Sequence, residues 1–310
     1  MKYAFFQGCN IPVRIPQYAR ATERVLHALG VELKEMRDFN CCGYPMRNVD
    51  EKAYLLPSVR NLALAERAGL DILVMCNCCF HSLKRVEAVL HNDAALTAEF
   101  NSMLEKEGLG YTGQTQVKHY LTVLHEDIGL AVIKEKLIHR FSGLKTAVIL
   151  GCHLLRPREI TQFDNSFVPG ITARLMELIG ATSVDWQGQL ECCGAALAGF
   201  NDEVSSQLLR EKLIGARNTG ADYITPICSY CYLQFDAGQQ QNLAAETAPP
   251  LPVILYPQLL GLCLGLEATA LGIGENQTIS EANLTGLPAL LGPPTEEKKQ
   301  KRRKKMEEAA

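Results

Sequence analysis

The chain has 310 residues, 47% of them apolar and 21% charged, a balance that excludes a disordered or fibrous protein and suits one large domain or two of ordinary size. Its net charge of −3 argues against nucleic acid as the main ligand, and residues 296–308, with seven Lys/Arg and four Glu, leave the rest more acidic still. No apolar run is long enough for a membrane span, and the first is too short for a signal-peptide core. A cytoplasmic location is therefore expected. In that reducing compartment, twelve Cys point to metal ligation or redox catalysis rather than structural disulfides.

Along the chain, the apolar run from Tyr3 ends in Gly8-Cys9, as expected of a buried strand delivering a Cys at its C-terminal end. Ala21, Val25, Leu26 and Leu29 share a helical face, and Gly30 stops the helix. Cys41-Cys42-Gly43 follows, then a longer helix ending at Ala68-Gly69, then an apolar strand from Asp71 into Cys76-x-x-Cys79. A linker is expected over Phe141–Lys145. Beyond it the order returns: Ala147–Leu150 into Gly151-Cys152, an apolar helical face (Leu175, Leu178, Ile179) before Gly180, then Cys192-Cys193-Gly194. A helix to Thr219-Gly220 and a strand from Asp222 into Cys228-x-x-Cys231 complete the second copy. The five repeated Cys are offset by 143, 151, 151, 152 and 152 residues. Leu251–Leu266 reads as a strand followed by a helix, and Lys298–Lys305 as a solvated basic run.

This alternation predicts an α/β fold of two similar tandem domains, residues 1–141 and 145–290, with small, mostly parallel sheets related by a pseudo-twofold axis. Residues 291–310 form a charged disordered tail in this reading. The Cys elements fall at the carboxyl ends of strands, where open α/β sheets place ligands.

Five Cys per copy exceed the four ligands of a structural zinc site, and adjacent Cys fit tetrahedral zinc poorly. At a turn both can reach a larger object, which favours iron–sulfur ligation. Gly43 and Gly194 remove bulk and permit that turn. Zinc in one or both copies and a thioredoxin-like dithiol remain as alternatives. Cys263, in an apolar stretch, reads as a buried small hydrophobe.

These strings resemble the CCG-domain family: Gln7-Gly-Cys-Asn-Ile-Pro12, Cys41-Cys-Gly-Tyr-Pro45, Val74-Met-Cys-Asn-Cys-Cys-Phe80, Gly151-Cys-His-Leu-Leu-Arg-Pro157 and Cys228-Ser-Tyr-Cys-Tyr-Leu-Gln-Phe-Asp236. Within it they are similar to the family of heterodisulfide reductase B subunits, over about residues 1–270. The resemblance implies two noncubane [4Fe-4S] clusters facing each other across the domain interface. Their ligands would be Cys9, Cys41, Cys42, Cys76 and Cys79, then Cys152, Cys192, Cys193, Cys228 and Cys231. The family usually has Gly where this chain has Cys78. Cys78 is thus a rival ligand, but Cys76 and Cys79 keep Phe80 in its motif place. The implied activity is two-electron reductive cleavage of a disulfide of the CoM-S-S-CoB type. The implied partners are the reductase's C subunit, with cubane clusters, and its flavin-bearing A subunit, since the chain shows no flavin or nicotinamide motif.

His153 follows Cys152, and its counterpart in the first copy is Asn10, an asymmetry that makes it the expected catalytic acid, with a neighbouring anionic cluster favouring the protonated ring. Arg156 and Arg158 are candidates for binding an anionic thiol, and His81 reads as structural or surface. Other readings are action on another disulfide or sulfur substrate, reverse flux in sulfur oxidation, or an electron-transfer subunit of a hydroxyacid oxidase or quinone-linked dehydrogenase. A zinc-binding scaffold is the reading from outside redox chemistry.

Overall fold

The repeat is carried by two parallel sheets. In the computed structural model, which describes residues 1–242 and 249–293, the first sheet comprises β1 (Lys2–Phe6), β2 (Glu32–Glu35), β3 (Asp71–Val74) and β4 (Val117–His119). Its order is β2-β1-β3-β4, with every pairing parallel. A two-residue strand, β5 (Arg140–Phe141), follows, and then the second sheet: β6 (Lys145–Ile149), β7 (Thr182–Ser183) and β8 (Tyr223–Pro226), ordered β7-β6-β8 and again parallel. The register is shared: Ala4 pairs with Ile72, and their equivalents Ala147 and Ile224 pair with each other. Both central strands are sealed on both faces, which is why they read as unbroken apolar runs.

The repeat also extends past the C-x-x-C segments. Ile72 pairs with Val117, and its equivalent Ile224 forms a single parallel bridge with Val253. The strand expected after Leu251 is reduced to that bridge; Pro252 and Pro257 lack amide hydrogens and cannot donate to a ladder. The helix expected after it is present as Tyr256–Cys263.

Helix ends follow local chemistry. Helix Pro16–Ala28 stops before Gly30, at φ +88. Helices Glu51–Arg67 and Asp202–Asn218 start where the Asp50 and Asn201 side chains accept from Ala53 N and Val204 N, at 2.6 and 3.1 Å. They end before Gly69 and Gly220, at φ +64 and +68, as expected.

The two domains share one core. Helix Pro16–Ala28 packs against helix Tyr256–Cys263 of the other half. The fully buried Tyr18 hydroxyl donates to Ile227 O at 2.8 Å and lies 3.5 Å from Met75 O. Met75 and Ile227 are equivalents, each immediately before the first Cys of its C-x-x-C. Asn77 Nδ2 donates to Leu150 O at 2.6 Å, and Gln17 Nε2 to the Tyr232 hydroxyl at 3.0 Å. At the end of the described chain, β9 (Leu291–Gly292) pairs antiparallel with β5. The sequence reading starts the tail at residue 291, but its first two residues form this strand. Residues 294–310, with the basic run, lie outside the described residues.

Gly43 sits at φ +80, and a Cβ there would meet Tyr54 O at 2.1 Å. Gly69, at φ +64, has open space around it. Gly69→Ala is therefore expected to cost about 1 kcal/mol of backbone strain, and Gly43→Ala at least about 2 kcal/mol, because the helix must also shift. Denaturant unfolding of both variants checks this; equal losses would show that the close approach carries no energy.

Candidate metal centre

Each sheet delivers its Cys at carboxyl ends. Cys9 and Cys76 follow β1 and β3, and Cys152 and Cys228 follow β6 and β8. Gly8, at φ +70, turns the chain after β1, and a Cβ there would come within 2.9 Å of Cys79 Sγ. Gly151, at φ +79, stands in the same relation to Cys231 Sγ, at 3.5 Å. These glycines let one segment lie directly against the thiol of another.

The thiols form two matching chains of contacts. In hydrogen-bonding order the free thiols of the first domain run Cys9, Cys41, Cys42, Cys79, Cys76. In the second domain the order is Cys152, Cys192, Cys193, Cys231, Cys228, with Cys193 and Cys231 sulfurs 3.2 Å apart. Cys9 and Cys192 are exposed, Cys41 and Cys152 half-buried, and the other six buried.

Shared hydrogen bonds split each Cys-Cys pair electrostatically. Hydrogen bonds from Cys42 and Cys9, helped by the Gly43 amide, hold the Cys41 thiol far below its ordinary pKa. Cys152, Cys193 and the Gly194 amide do the same for Cys192. The donors shift in the opposite direction: bonding to Cys41 and Cys192 pushes Cys42 and Cys193 up to about 12. A thiolate is the metal-ligating form of Cys, and Cys41 and Cys192 are the thiols that their neighbours bias toward that form.

The two sets meet. The sulfurs of Cys76, Cys78 and Cys228 all lie within 4.8 Å of one another, and all are buried. Cys76 and Cys228 are equivalents, so the contact falls on the pseudo-twofold axis. Cys78, whose equivalent is Tyr230, stands off the first thiol chain. It bonds Cys228 and Cys76, and its sulfur lies 4.0 Å from His153 Nδ1. Cys79 is the residue that touches Cys42, as Cys231 touches Cys193.

His153 is half-buried at this junction. Its Nδ1 lies 3.3 Å from Cys152 Sγ, and its Nε2 is 3.2 Å from the Tyr44 hydroxyl. The His81 ring lies 5.3 Å away, so His81 belongs to the junction rather than to the surface. Burial, followed by the Arg47 guanidinium stacked 3.9 Å over the Tyr44 ring, lowers the His153 pKa; the Cys192 and Cys76 charges only partly oppose this. The sequence reading ties a protonated ring to an anionic cluster beside it; for the protein groups alone, desolvation outweighs the attraction of the thiolates. Arg156 and Arg158 are exposed. Tyr44 and Tyr230, 6.3 Å apart, line the junction, and the sequence reading does not single them out. Their neighbours in the Cys-Cys-Gly and C-x-x-C strings are the signal that could have found them. Cys263 is fully buried with its sulfur 3.8 Å from Ile179 O, as a small hydrophobe would be.

The cysteine-rich domain family named CCG matches residues 3–84 and 146–236, the segments that carry the two thiol sets, and the chain belongs to this family. It is a member similar to the B subunits of heterodisulfide reductases. One relative is the B subunit of a ferredoxin/F(420)H(2)-dependent CoB-CoM heterodisulfide reductase of Methanosarcina acetivorans, 36% identical over 89% of this chain and 93% of the relative. Another is the membrane anchor subunit of an 8-methylmenaquinol:fumarate reductase of Wolinella succinogenes, 33% identical over 89% of this chain and 96% of the relative. Among solved structures, a hypothetical protein from Helicobacter pylori shares the fold, with a TM-score of 0.72 at 14% identity over 90% of this chain and 52% of that one. Among the described residues no helix is long and apolar enough to cross a membrane.

In the metal-free chain, Cys41 and Cys192 should persist as thiolates as the pH falls, because their pKa values are lowered. Iodoacetamide labelling mapped by mass spectrometry should find exposed Cys192 modified at nearly the same rate at pH 7 and pH 5. An ordinary thiol slows roughly tenfold per pH unit over that range. A tenfold-per-unit fall at Cys192 would show that its neighbours do not stabilise the thiolate.

Proposed function

We propose that the chain is the iron–sulfur catalytic subunit of a heterodisulfide reductase complex, and that it reductively cleaves a disulfide of the CoM-S-S-CoB type where its two domains meet. The observation that carries this reading is the contact of Cys76 with Cys228 on the pseudo-twofold axis, which sets two five-thiol sites face to face. Each set fits an iron–sulfur group. The donors are all sulfur, one is biased toward the thiolate, and a glycine in each cradle leaves room that a side chain would fill. Cys9, Cys41, Cys42, Cys76 and Cys79 would hold one noncubane [4Fe-4S] cluster, and Cys152, Cys192, Cys193, Cys228 and Cys231 the other. When bound, such clusters supply electrons singly and soft iron sites for sulfur.

The reaction takes two electrons and two protons and turns one S–S bond into two thiols. The chain's own residues bring the protons and shape the site. His153, bonded to the Tyr44 hydroxyl, would hold a proton at Nε2 and pass it into the junction. Tyr44 and Tyr230 wall the opening beside the first-domain thiols and limit the access of water. Electrons would come, in the cytoplasm, from a C subunit with cubane clusters and a flavin-bearing A subunit, a reading supported by the complexes for which the relatives are named.

A second reading, an electron-transfer subunit of a quinone-linked reductase, is favoured by the Wolinella succinogenes relative. Disulfide reduction with a reduced viologen as donor separates the two: the first reading requires it, and the second does not.

Anaerobically prepared protein should carry about eight irons per chain and little zinc. Cys76→Ala or Cys79→Ala should leave about four, all in the second domain, while Cys78→Gly should keep all eight. One zinc with four irons would end the two-cluster reading, and iron loss in Cys78→Gly would shift the ligand register.

His153→Gln should keep its iron and its spectra, yet slow disulfide reduction by roughly 10²- to 10⁴-fold, the range for a lost general acid. Full activity with intact iron would assign the protons to another group.

A further inference from the structure

Because the two thiol sets are built alike, side chains that differ at equivalent positions around them report a difference between the sites. The helix after each Cys-Cys-Gly turn pins the approach to that turn with one buried side chain. In the first domain this is Asn61. Its Oδ1 accepts from Asn40 N at 2.9 Å, and its Nδ2 donates to Asn40 O at 3.0 Å. Its equivalent, 151 residues further on, is Lys212. Lys212 is 4% exposed; its ammonium donates to Gly188 O and lies 5.5 Å from the centre of the Trp186 ring. One structural task is thus done by a neutral amide in one domain and by an ammonium in the other.

That ammonium belongs to no ion pair among the described residues. Glu191, the carboxylate whose charge acts on it, is exposed and screened by water. Its helix packs on the turn Gln187–Leu190 that leads into Cys192 and Cys193, so the ammonium sits at the approach to the second thiol set; burial pulls the Lys212 pKa down, and the neighbouring thiols oppose that.

We propose that Lys212 tunes the second-domain centre electrostatically and makes it the more easily reduced of the two. The proposal rests on the iron–sulfur reading given above. Each electron taken up adds one negative charge, and a nearby buried cation lowers the energy of the reduced form. Asn61 offers the first-domain centre no such charge. Lys212 touches neither substrate nor the reacting sulfur, so it is a positioning residue. It gives electron flow between two similar sites a direction, from the first domain to the second.

The test uses the full-length chain loaded with iron anaerobically, with one centre disabled at a time by paired substitutions: Cys41→Ala with Cys42→Ala, or Cys192→Ala with Cys193→Ala. Midpoint potentials are read by redox titration followed by electron paramagnetic resonance. The second-domain midpoint should lie above the first-domain one. Lys212→Gln should move only the second-domain midpoint, in the negative direction, and Lys212→Arg should restore it. An unmoved second-domain midpoint in Lys212→Gln, or an equal shift in both domains, would overturn the proposal while leaving the iron–sulfur reading intact. If Lys212→Gln does not take up iron in its second domain, the order of the two wild-type midpoints decides, and a lower second-domain value overturns the proposal. A wild-type chain that takes up no iron overturns both readings.

Discussion

The Tyr18 hydroxyl sits where the two halves of the chain are fixed to each other. It reaches the carbonyls of Met75 and Ile227, and so holds the ends of β3 and β8 side by side. Those carbonyls belong to the residues immediately before Cys76 and Cys228. The separation of the two thiol sets is therefore set by a hydrogen bond buried in the shared core rather than by a surface loop. Phenol and carbonyls are fully sealed from water, so breaking this arrangement would leave buried polar groups unpaired, typically about 1–3 kcal/mol each. The cross-domain bond from Asn77 to Leu150 O acts at the same level of the fold.

Much of this is legible in the sequence, because the determinants are local. The Gly-Cys strand ends, the helix stops at Gly30, Gly69, Gly180 and Gly220, and the turns at Gly43 and Gly194 each depend on a few neighbouring residues, and each is found where the sequence places it. What is not legible depends on contacts between distant segments. The fourth strand position of the repeat, Val117 against Val253, is offset by 136 residues, and prolines hide it. Tyr44 meets His153 across 109 positions, and no local pattern announces that pairing. The burial of His153 escapes the sequence for a related reason. Adjacency to Cys152 is visible there, but the elements folded over the ring are not.

The pairs that break the repeat lie close to the thiols: Asn10 with His153, Cys78 with Tyr230, Asn77 with Ser229, Asn61 with Lys212. The positions that preserve it are the cysteines, the glycines at positive φ and the sheet register. In the proposed function, holding two equal centres constrains the second group, and a disulfide with two unlike halves rewards variation in the first, because two identical half-sites could not tell its ends apart.

The pairing of helix Pro16–Ala28 with helix Tyr256–Cys263, and of β5 with β9, also bears on how the molecule is made. The first domain leaves the ribosome with Tyr18 and one side of an early helix uncovered, and the helix that covers them lies more than two hundred residues further along the chain. Closing a loop of more than two hundred residues adds only a few kcal/mol of entropy, but it slows the step that depends on it. The junction between the thiol sets is thus completed only once the second domain has been made, and half-built chains keep their apolar seam exposed until then.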